Sequence, residues 1–330
     1  MKHINESDVE EATLSWFEEL GYEVAYGPDL APGEPHSERE SFGQVCPWGR
    51  LRQAMGHINP KLPDSLLDEA IKRLQRAESQ NPVAENQRWH RLMTDGVPVE
   101  QRGPGGQLRT VQVWLIDWEK PSNNDWLVVN QFTVVENGKN RRPDVLVFVN
   151  GMPLGLFELK NSADENATLR KAWNQIQTYQ AEIPSVFTPN AVTVISDGTS
   201  AAMGSFTGAF EHYAPWKTID SQDVVTNKPA LEILVKGVFE PHRFLDLVRN
   251  FIVFSEETAT DKRTAQRVKT LVKRVAKYHQ YWAVNVAVES TVRASRPNGN
   301  RRAGVVWHTQ GSGKSFERFS MRPRSCATAA

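Results

Sequence analysis

The chain has 330 residues, of which 39% are hydrophobic and 24% charged, so it is long enough for about two domains and is neither disordered nor fibrous in composition. Acidic and basic residues balance at 39 each, which excludes any argument for a nucleic-acid partner from net charge. The only cysteines, Cys46 and Cys326, exclude a disulfide scaffold and a cysteine-rich zinc site. No signal sequence or long apolar run occurs, so we expect a cytoplasmic protein with no membrane partner.

The first predicted element is a helix near residues 7–20. Ser7 and Glu10 have the spacing of a capping box, and Val9, Trp16 and Leu20 follow at helical spacing. Gly21 supplies a helix stop. A second amphipathic stretch covers residues 66–74 within a mixed segment that continues to about residue 105.

From Gln107 onward the hydrophobic period changes from helical to strand-like. The strand-like runs are residues 111–115, 127–135, 145–149, 154–159 and 191–195. Turn signals separate them, including Asn137-Gly138 and Asn150-Gly151. With a helix predicted over Ala167–Ala181, the pattern predicts one α/β domain ending near residue 235, built on a small mixed sheet whose central strands are buried on both faces.

The remaining residues have a different character. Arg243–Phe254 is predicted to be helical, and Thr264–Ala294 to form two more helices whose basic residues are candidates for contact with DNA phosphate. A solvated charged face is the alternative for that basic run. Ala303–Trp307 is predicted to be a strand.

The most informative residues are Asp144, Glu158 and Lys160, which fall at the ends of two predicted strands. Residues two apart on a strand share a face, so Glu158 and Lys160 project together, and a hairpin through Asn150-Gly151 brings Asp144 beside them. Paired carboxylates suit Mg²⁺, and a lysine can stabilise charge that develops on a phosphate. Ordinary strand-end charges are the alternative, but Glu158 lies inside an apolar run, where an unpaired charge is costly.

The helix after these strands carries Gln175 and Tyr179, four residues apart and therefore on one face. We expect this face to pack near the carboxylates. A solvated helix face is the alternative.

A phosphate-binding loop is indicated near the end of the chain. Gly311, Ser312, Gly313, Lys314 and Ser315 follow the predicted strand, as in loops whose backbone amides hold the phosphates of ATP. His308 stands where the general pattern has glycine, and a flexible Gly-Ser turn is the alternative.

These motifs together resemble the PD-(D/E)xK nucleases, and more closely the R subunit of type I restriction enzymes. The resemblance covers residues 5–315 and is carried by Arg142-Pro143-Asp144-Val145, Asn150-Gly151-Met152-Pro153-Leu154, Phe157-Glu158-Leu159-Lys160-Asn161, Gln175-Ile176-Gln177-Thr178-Tyr179 and His308-Thr309-Gln310-Gly311-Ser312-Gly313-Lys314-Ser315.

The resemblance implies a role for each motif residue. Asp144 and Glu158 would bind Mg²⁺, and Lys160 would be the catalytic lysine. Gln175 and Tyr179 would support DNA engagement. Glu10 is the candidate for a further acid on the first helix, with its capping-box role as the alternative. Gln280, in Tyr278-His279-Gln280-Tyr281, would contact adenine, with an ordinary helix-surface role as the alternative.

For the whole chain the resemblance implies a type I site-specific deoxyribonuclease. Residues 1–235 would form a PD-(D/E)xK restriction-endonuclease-like domain with a mixed central sheet flanked by helices, and residues 236–315 an incomplete RecA-like P-loop domain. Residues 316–330 would be a non-native tail of a truncated chain.

In this family the nuclease cuts unmodified double-stranded DNA, is coupled to ATP-driven translocation, and works with methyltransferase and specificity subunits. A truncated, non-catalytic remnant that only docks on those subunits is the alternative. We further expect poor order from about residue 240 and weak ATP binding.

Overall fold

The structure is a computed structural model that describes residues 6–103, 106–160, 168–220, 223–260 and 267–305. The helices are α1 Glu6–Glu19, α2 Trp48–Ile58, α3 Asp64–Gln75, α4 Pro82–Asp95, α5 Leu169–Glu182, α6 Ala230–Val238, α7 Pro241–Asn250 and α8 Tyr278–Ser295. The strands are β1 Glu23–Tyr26, β2 Val97–Arg102, β3 Leu108–Val113, β4 Trp126–Asn130, β5 Val134–Glu136, β6 Lys139–Arg141, β7 Val145–Val149, β8 Met152–Leu159, β9 Val192–Ser196, β10 Ala201–Gly204, β11 Ile252–Thr260 and β12 Arg267–Val275.

The largest sheet has six strands in the order β1-β4-β7-β8-β9-β10. Two neighbouring pairs, β1 with β4 and β8 with β9, are parallel, and the other three are antiparallel. The predicted mixed sheet is therefore confirmed.

Both faces of this sheet are covered, which explains the continuous apolar runs in its central strands. Val145, Val147 and Val149 of β7 lie in one core cluster with Phe17 of α1 and Val235 of α6, here called the α1-side core. The intervening residues of β7 lie in a second cluster with Ala172 and Ile176 of α5, here called the α5-side core. The expected α/β class, with helices on both sides of a central sheet, is confirmed.

The hairpin of β7 and β8 contains a bulge that changes which side chains share a face. Near the turn Val149 pairs with Met152, but beyond the bulge Val145 pairs with Phe157, one residue out of the first register. Pro153 lies beside the irregularity, as expected for a proline inside a sheet. Because a one-residue shift exchanges the two faces of a strand, the bulge puts Glu158, rather than Phe157, on the face that Asp144 occupies.

The turn of this hairpin is the Asn150-Gly151 pair that the sequence predicts. Both residues have left-handed backbones, with φ of 53° and 75°, as a tight hairpin turn requires. The buried Asn150 side chain donates to Leu115 O and to Asn124 Oδ1, both at 2.8 Å, and accepts from Asp125 N at 2.7 Å. The turn is therefore fixed by the protein interior as well as by its own geometry.

Several elements differ from the prediction. Ser7 lies inside α1, which begins at Glu6, so Ser7 does not cap the helix. Three helices, α2, α4 and α6, were not predicted. A start signal for α4 was present, because Asn81 caps it through bonds from Val83 N and Ala84 N and Pro82 follows.

The prediction of two helices within residues 264–294 is wrong for the first of them, because that part of the chain forms strand β12, which pairs with β11. The prediction of a helix over Arg243–Phe254 is wrong at its end, which belongs to strand β11. The basic residues recur at near-helical spacing, but the β-branched residues between them and the pairing with β11 favour a strand. Lys269 pairs with Glu256 at 3.0 Å, and Lys273 is buried, so Lys273 cannot contact DNA from this position. Residues 303–305 are not in a strand, and the rest of that predicted strand lies outside the described residues.

The expected poor order after residue 240 is wrong for the described segments up to residue 295. Phe244 and Val248 of α7 and Tyr281 of α8 are buried in the α1-side core. Tyr22 donates a 2.8 Å hydrogen bond to Phe239 O, which ties the beginning of the chain to this region. The expected domain boundary at 235/236 falls inside α6, and the division into domains stays a prediction.

None of the described helices has the combination of length and apolarity needed to cross a lipid bilayer.

Replacing Asn150 with alanine should destabilise the fold by about 2–4 kcal/mol. Alanine is less favourable than asparagine at positive φ, and its side chain leaves the buried backbone partners of Asn150 unpaired. Asn137 is the matched control, since it has nearly the same φ (51°) in an Asn-Gly turn but is exposed. Asn137→Ala should cost about 1 kcal/mol or less. Urea unfolding of both variants measures the difference, and equal losses would contradict a role for the buried bonds.

Candidate active site

Asp144 and Glu158 meet at one edge of the sheet. Asp144 immediately precedes β7 and Glu158 is the penultimate residue of β8, so the register of Val145 with Phe157 continues to Asp144 opposite Glu158. Both side chains face α5, because Leu146 and Leu156, each two residues away, lie in the α5-side core. Asp144 is 9% and Glu158 2% exposed, so both carboxylates are largely removed from water.

Each carboxylate has a hydrogen-bond donor. The backbone N–H of Leu159 donates to Asp144 Oδ2 at 2.7 Å, and the Tyr179 hydroxyl donates to Glu158 Oε2 at 2.9 Å. Lys160 Nζ lies 2.5 Å from Glu158 Oε1 and 3.1 Å from Leu159 O. The expected juxtaposition of the three motif residues is confirmed, and their roles stay predictions.

The two buried carboxyl groups lie close enough for the charge of one to affect the pKa of the other. Burial first, and then the negative charge of Glu158, raise the pKa of Asp144 to about 8. The Leu159 N–H and the Lys160 ammonium oppose this rise in pKa without cancelling it. Burial and the same carboxylates also raise the pKa of Tyr179, so its hydroxyl remains a donor to Glu158. Ionising both acids would therefore put more negative charge in the site than its donors balance.

Helix α5 presents Tyr179 and Gln175 toward the site, as predicted. Tyr179 reaches Glu158, and Gln175 is hydrogen-bonded to Tyr179. Both residues line an open cleft of about 430 Å³. The cleft is also lined by donors from the β5–β6 side, namely Thr133, Asn140, Arg141 and Arg142.

The cleft is suited to an anionic chain rather than to a small apolar molecule. Arg142 is exposed at its edge, whereas Arg141 is paired with Glu182 of α5. Among the described residues, none that lines the cleft carries a carboxylate. Positive charge and hydrogen-bond donors beside the carboxylate pair are the features that bind a phosphate backbone.

Glu10 lies at the margin of the site and does not serve as a capping-box acid. Its two carboxylate oxygens accept hydrogen bonds from Gln131 Nε2, both at 2.8 Å, and Oε2 lies 3.4 Å from Asn130 Nδ2. Its charge contributes to the raised pKa of Asp144. Sequence reasoning missed Gln131, because a polar residue after a strand has no distinguishing pattern.

The donor set fits a hard divalent cation. Carboxylate oxygens are the ligands that Mg²⁺ prefers, and one or two of them with substrate phosphate commonly suffice. Within the described ranges no group of three or more His, Cys, Asp or Glu side chains converges in a metal-binding arrangement, so the candidate site is a pair. Such a cation would neutralise the negative charge that appears when both acids ionise.

Of the residues predicted to contact a nucleotide, the structure describes only Gln280. Gly311, Ser312, Gly313, Lys314 and Ser315 lie outside the described residues. Gln280 is buried, and its side-chain oxygen accepts from Lys277 N at 2.9 Å at the start of α8. It is therefore a helix-capping residue here rather than an ordinary surface glutamine, and its contact with adenine stays a prediction.

Two family models match the chain. The model described as the N terminus of the type I restriction enzyme R protein matches residues 3–212, and a model described as SWI2/SNF2 ATPase matches residues 279–324. The second match extends past Ser315, the residue at which the resemblance to the R subunit was predicted to end.

Individual relatives agree with the first model. The type I restriction enzyme HindI endonuclease subunit of Haemophilus influenzae is 39% identical over 321 residues, which is 95% of this chain and 29% of the relative. A provisionally named type I restriction enzyme MjaIXP endonuclease subunit of Methanocaldococcus jannaschii is 31% identical over 331 residues, covering 93% of this chain and 30% of the relative.

The chain thus spans about three tenths of the length of the curated relatives it matches. The carboxylates, the lysine and the α5 side chains all lie within the segment that the first family model matches. On this match and on the similarity along nearly its whole length, the chain belongs to the family of type I restriction enzyme R proteins, of which it carries the N-terminal region.

Proposed function

We propose that this chain is a DNA endonuclease that hydrolyses phosphodiester bonds at Asp144, Glu158 and Lys160. The observation that carries the proposal is the convergence of two buried carboxylates and one ammonium group at a sheet edge, beside a cleft lined by donors. The fold we propose for this region is that of the PD-(D/E)xK nucleases, in which such a pair occupies the ends of neighbouring strands.

Asp144 and Glu158 would hold Mg²⁺. When bound there, the ion would polarise the scissile phosphate and lower the pKa of a water molecule. The Lys160 ammonium, next to Glu158, supplies positive charge where the phosphate gains negative charge, and so stabilises the transition state.

The remaining groups orient these three. The Tyr179 hydroxyl holds one oxygen of Glu158, and the Leu159 N–H holds one oxygen of Asp144, so neither carboxylate is free to turn away. Arg142 and Gln175 face the adjoining cleft and would hold the DNA backbone. Contacts of this kind fix the strand without selecting a base sequence.

The biological setting we propose is restriction of unmodified double-stranded DNA. The names of the relatives, endonuclease subunits of type I restriction enzymes, support a multi-subunit complex. Methyltransferase and specificity subunits are the partners that we propose for it. The SWI2/SNF2 match supports a connection to ATP, with Gly311–Ser315 as the proposed phosphate loop of a RecA-like region and Gln280 as the proposed adenine contact.

Lys160→Ala should lower the rate of Mg²⁺-dependent plasmid nicking by about 100-fold or more, because it removes a charge that acts on the transition state. Lys171→Ala is the matched control, since it removes an exposed lysine from the first turn of α5 and should leave the rate unchanged. Gel assays of supercoiled DNA with Mg²⁺ and with EDTA give both rates.

Equal rates for the parent and Lys160→Ala would argue that the cleavage comes from a contaminant or another site. A parent that does not cut, alone or with methyltransferase and specificity subunits added, would favour the non-catalytic docking alternative.

Asp144→Asn should stabilise the metal-free protein more as the pH rises. The pKa of Asp144 is raised in the folded protein, so its contribution to stability is present below the ordinary pKa of 3.8 and is lost as the pH rises through about 8. The variant has no charge to bury, so its advantage over the parent should grow between about pH 4 and 8, on the order of a few kcal/mol.

Thermal unfolding in EDTA measures this advantage, with Asp29→Asn as a control at an exposed aspartate. Mg²⁺ should raise the Tm of the parent and leave that of Asp144→Asn nearly unchanged. A difference in Tm between Asp144→Asn and the parent that does not change with pH would contradict the raised pKa of Asp144.

A further inference from the structure

Gln131, which follows β4 directly, has an unusual backbone. Its φ is 56°, in the left-handed region that glycine and asparagine favour and glutamine avoids. Of the other non-glycine residues at positive φ in the described ranges, two are asparagines in tight turns and one is Arg301. A residue held in this conformation next to a candidate site calls for a functional explanation.

The left-handed backbone lets Gln131 make two contacts at once. Its N–H donates to Asp144 O at 3.0 Å, which fixes it to the residue that starts β7. Its side-chain Nε2 lies 2.8 Å from both oxygens of Glu10 on α1. One residue therefore links the backbone of Asp144 to the carboxylate of Glu10, although the three belong to distant parts of the sequence.

The link supplies hydrogen bonds to the buried Glu10 carboxylate. Glu10 is only 8% exposed, and a buried carboxylate needs donors. Its donors among the described residues are the neutral amides of Gln131 and Asn130, and no lysine or arginine of the described segments pairs with it. Neutral donors fix the position of the carboxylate near Asp144.

We propose that Gln131 is a positioning residue that holds the Glu10 carboxylate near Asp144, and that Glu10 in this position strengthens the binding of a divalent cation at the Asp144–Glu158 pair. The inference rests on the proposed function, because it concerns the same site. Groups that hydrogen-bond to the carboxylates of metal sites commonly change metal affinity by 10–100-fold when they are removed.

A purely structural role for Gln131 makes a different prediction. Glycine suits this backbone better than glutamine does, so Gln131→Gly relieves the backbone while removing the donors of the buried Glu10 carboxylate. If Gln131 served only the chain path, the variant would bind cations as well as the parent. If the amide positions Glu10, cation affinity falls.

The experiment is calorimetric titration with Mn²⁺, without DNA, of the parent, Gln131→Gly, Glu10→Gln and the double variant. We expect 10–100-fold weaker binding in each single variant and no further loss in the double variant, because both changes remove one shared contribution. Asn137→Gly is the matched control: it makes the same backbone change at φ 51° in an exposed turn and should bind Mn²⁺ like the parent.

A Gln131→Gly variant that binds Mn²⁺ within twofold of the parent would overturn the inference while leaving the metal site intact. Losses of Mn²⁺ affinity that multiply in the double variant, or an unchanged affinity in Glu10→Gln, would also overturn the inference. A parent that binds no Mn²⁺ would overturn the proposed metal site itself, and the inference with it. Gln131→Asn, which keeps an amide and tolerates the left-handed backbone, should fall between the parent and Gln131→Gly.

Discussion

The candidate site depends on one irregularity in the β7–β8 hairpin. Without the bulge, the register near the turn would continue to the end of the strands and would put Phe157 opposite Asp144. Glu158 and Lys160 would then face the hydrophobic residues of the α1-side core. The extra residue in β8 exchanges the faces, so the apolar side chains fill the α1-side core and the two carboxylates meet on the side of α5.

The second constraint is the balance of charge around those carboxylates. Leu159 N–H, Tyr179 and Lys160 are enough to keep the pair folded, but the pKa of Asp144 shows that they do not fully compensate two buried acids. Glu10, whose donors are neutral amides, does not relieve this imbalance. A site arranged in this way would gain stability from the cation that we propose it binds, and this would tie the energetics of the fold to the proposed chemistry.

Periodicity and turn chemistry in the sequence predicted much of this arrangement. Strands β7 and β8, the Asn150-Gly151 turn, helix α5 and the shared face of Gln175 and Tyr179 follow from local patterns, which do not depend on distant residues. The strands β11 and β12 were missed because charges spaced like those of a helix were given more weight than strand pairing between distant segments. Gln131 was missed because its role depends on Glu10, 121 residues away, and no local rule encodes such a contact.

The most direct test of the account is where a divalent cation binds. Crystals of the chain soaked in Mn²⁺ would give an anomalous signal at the position of the ion. The account predicts a single strong peak in direct contact with one oxygen of Asp144 and one of Glu158, and no such peak in Asp144→Asn crystals. A peak elsewhere, with none at the pair, would contradict the assignment of these carboxylates as the metal site of a nuclease.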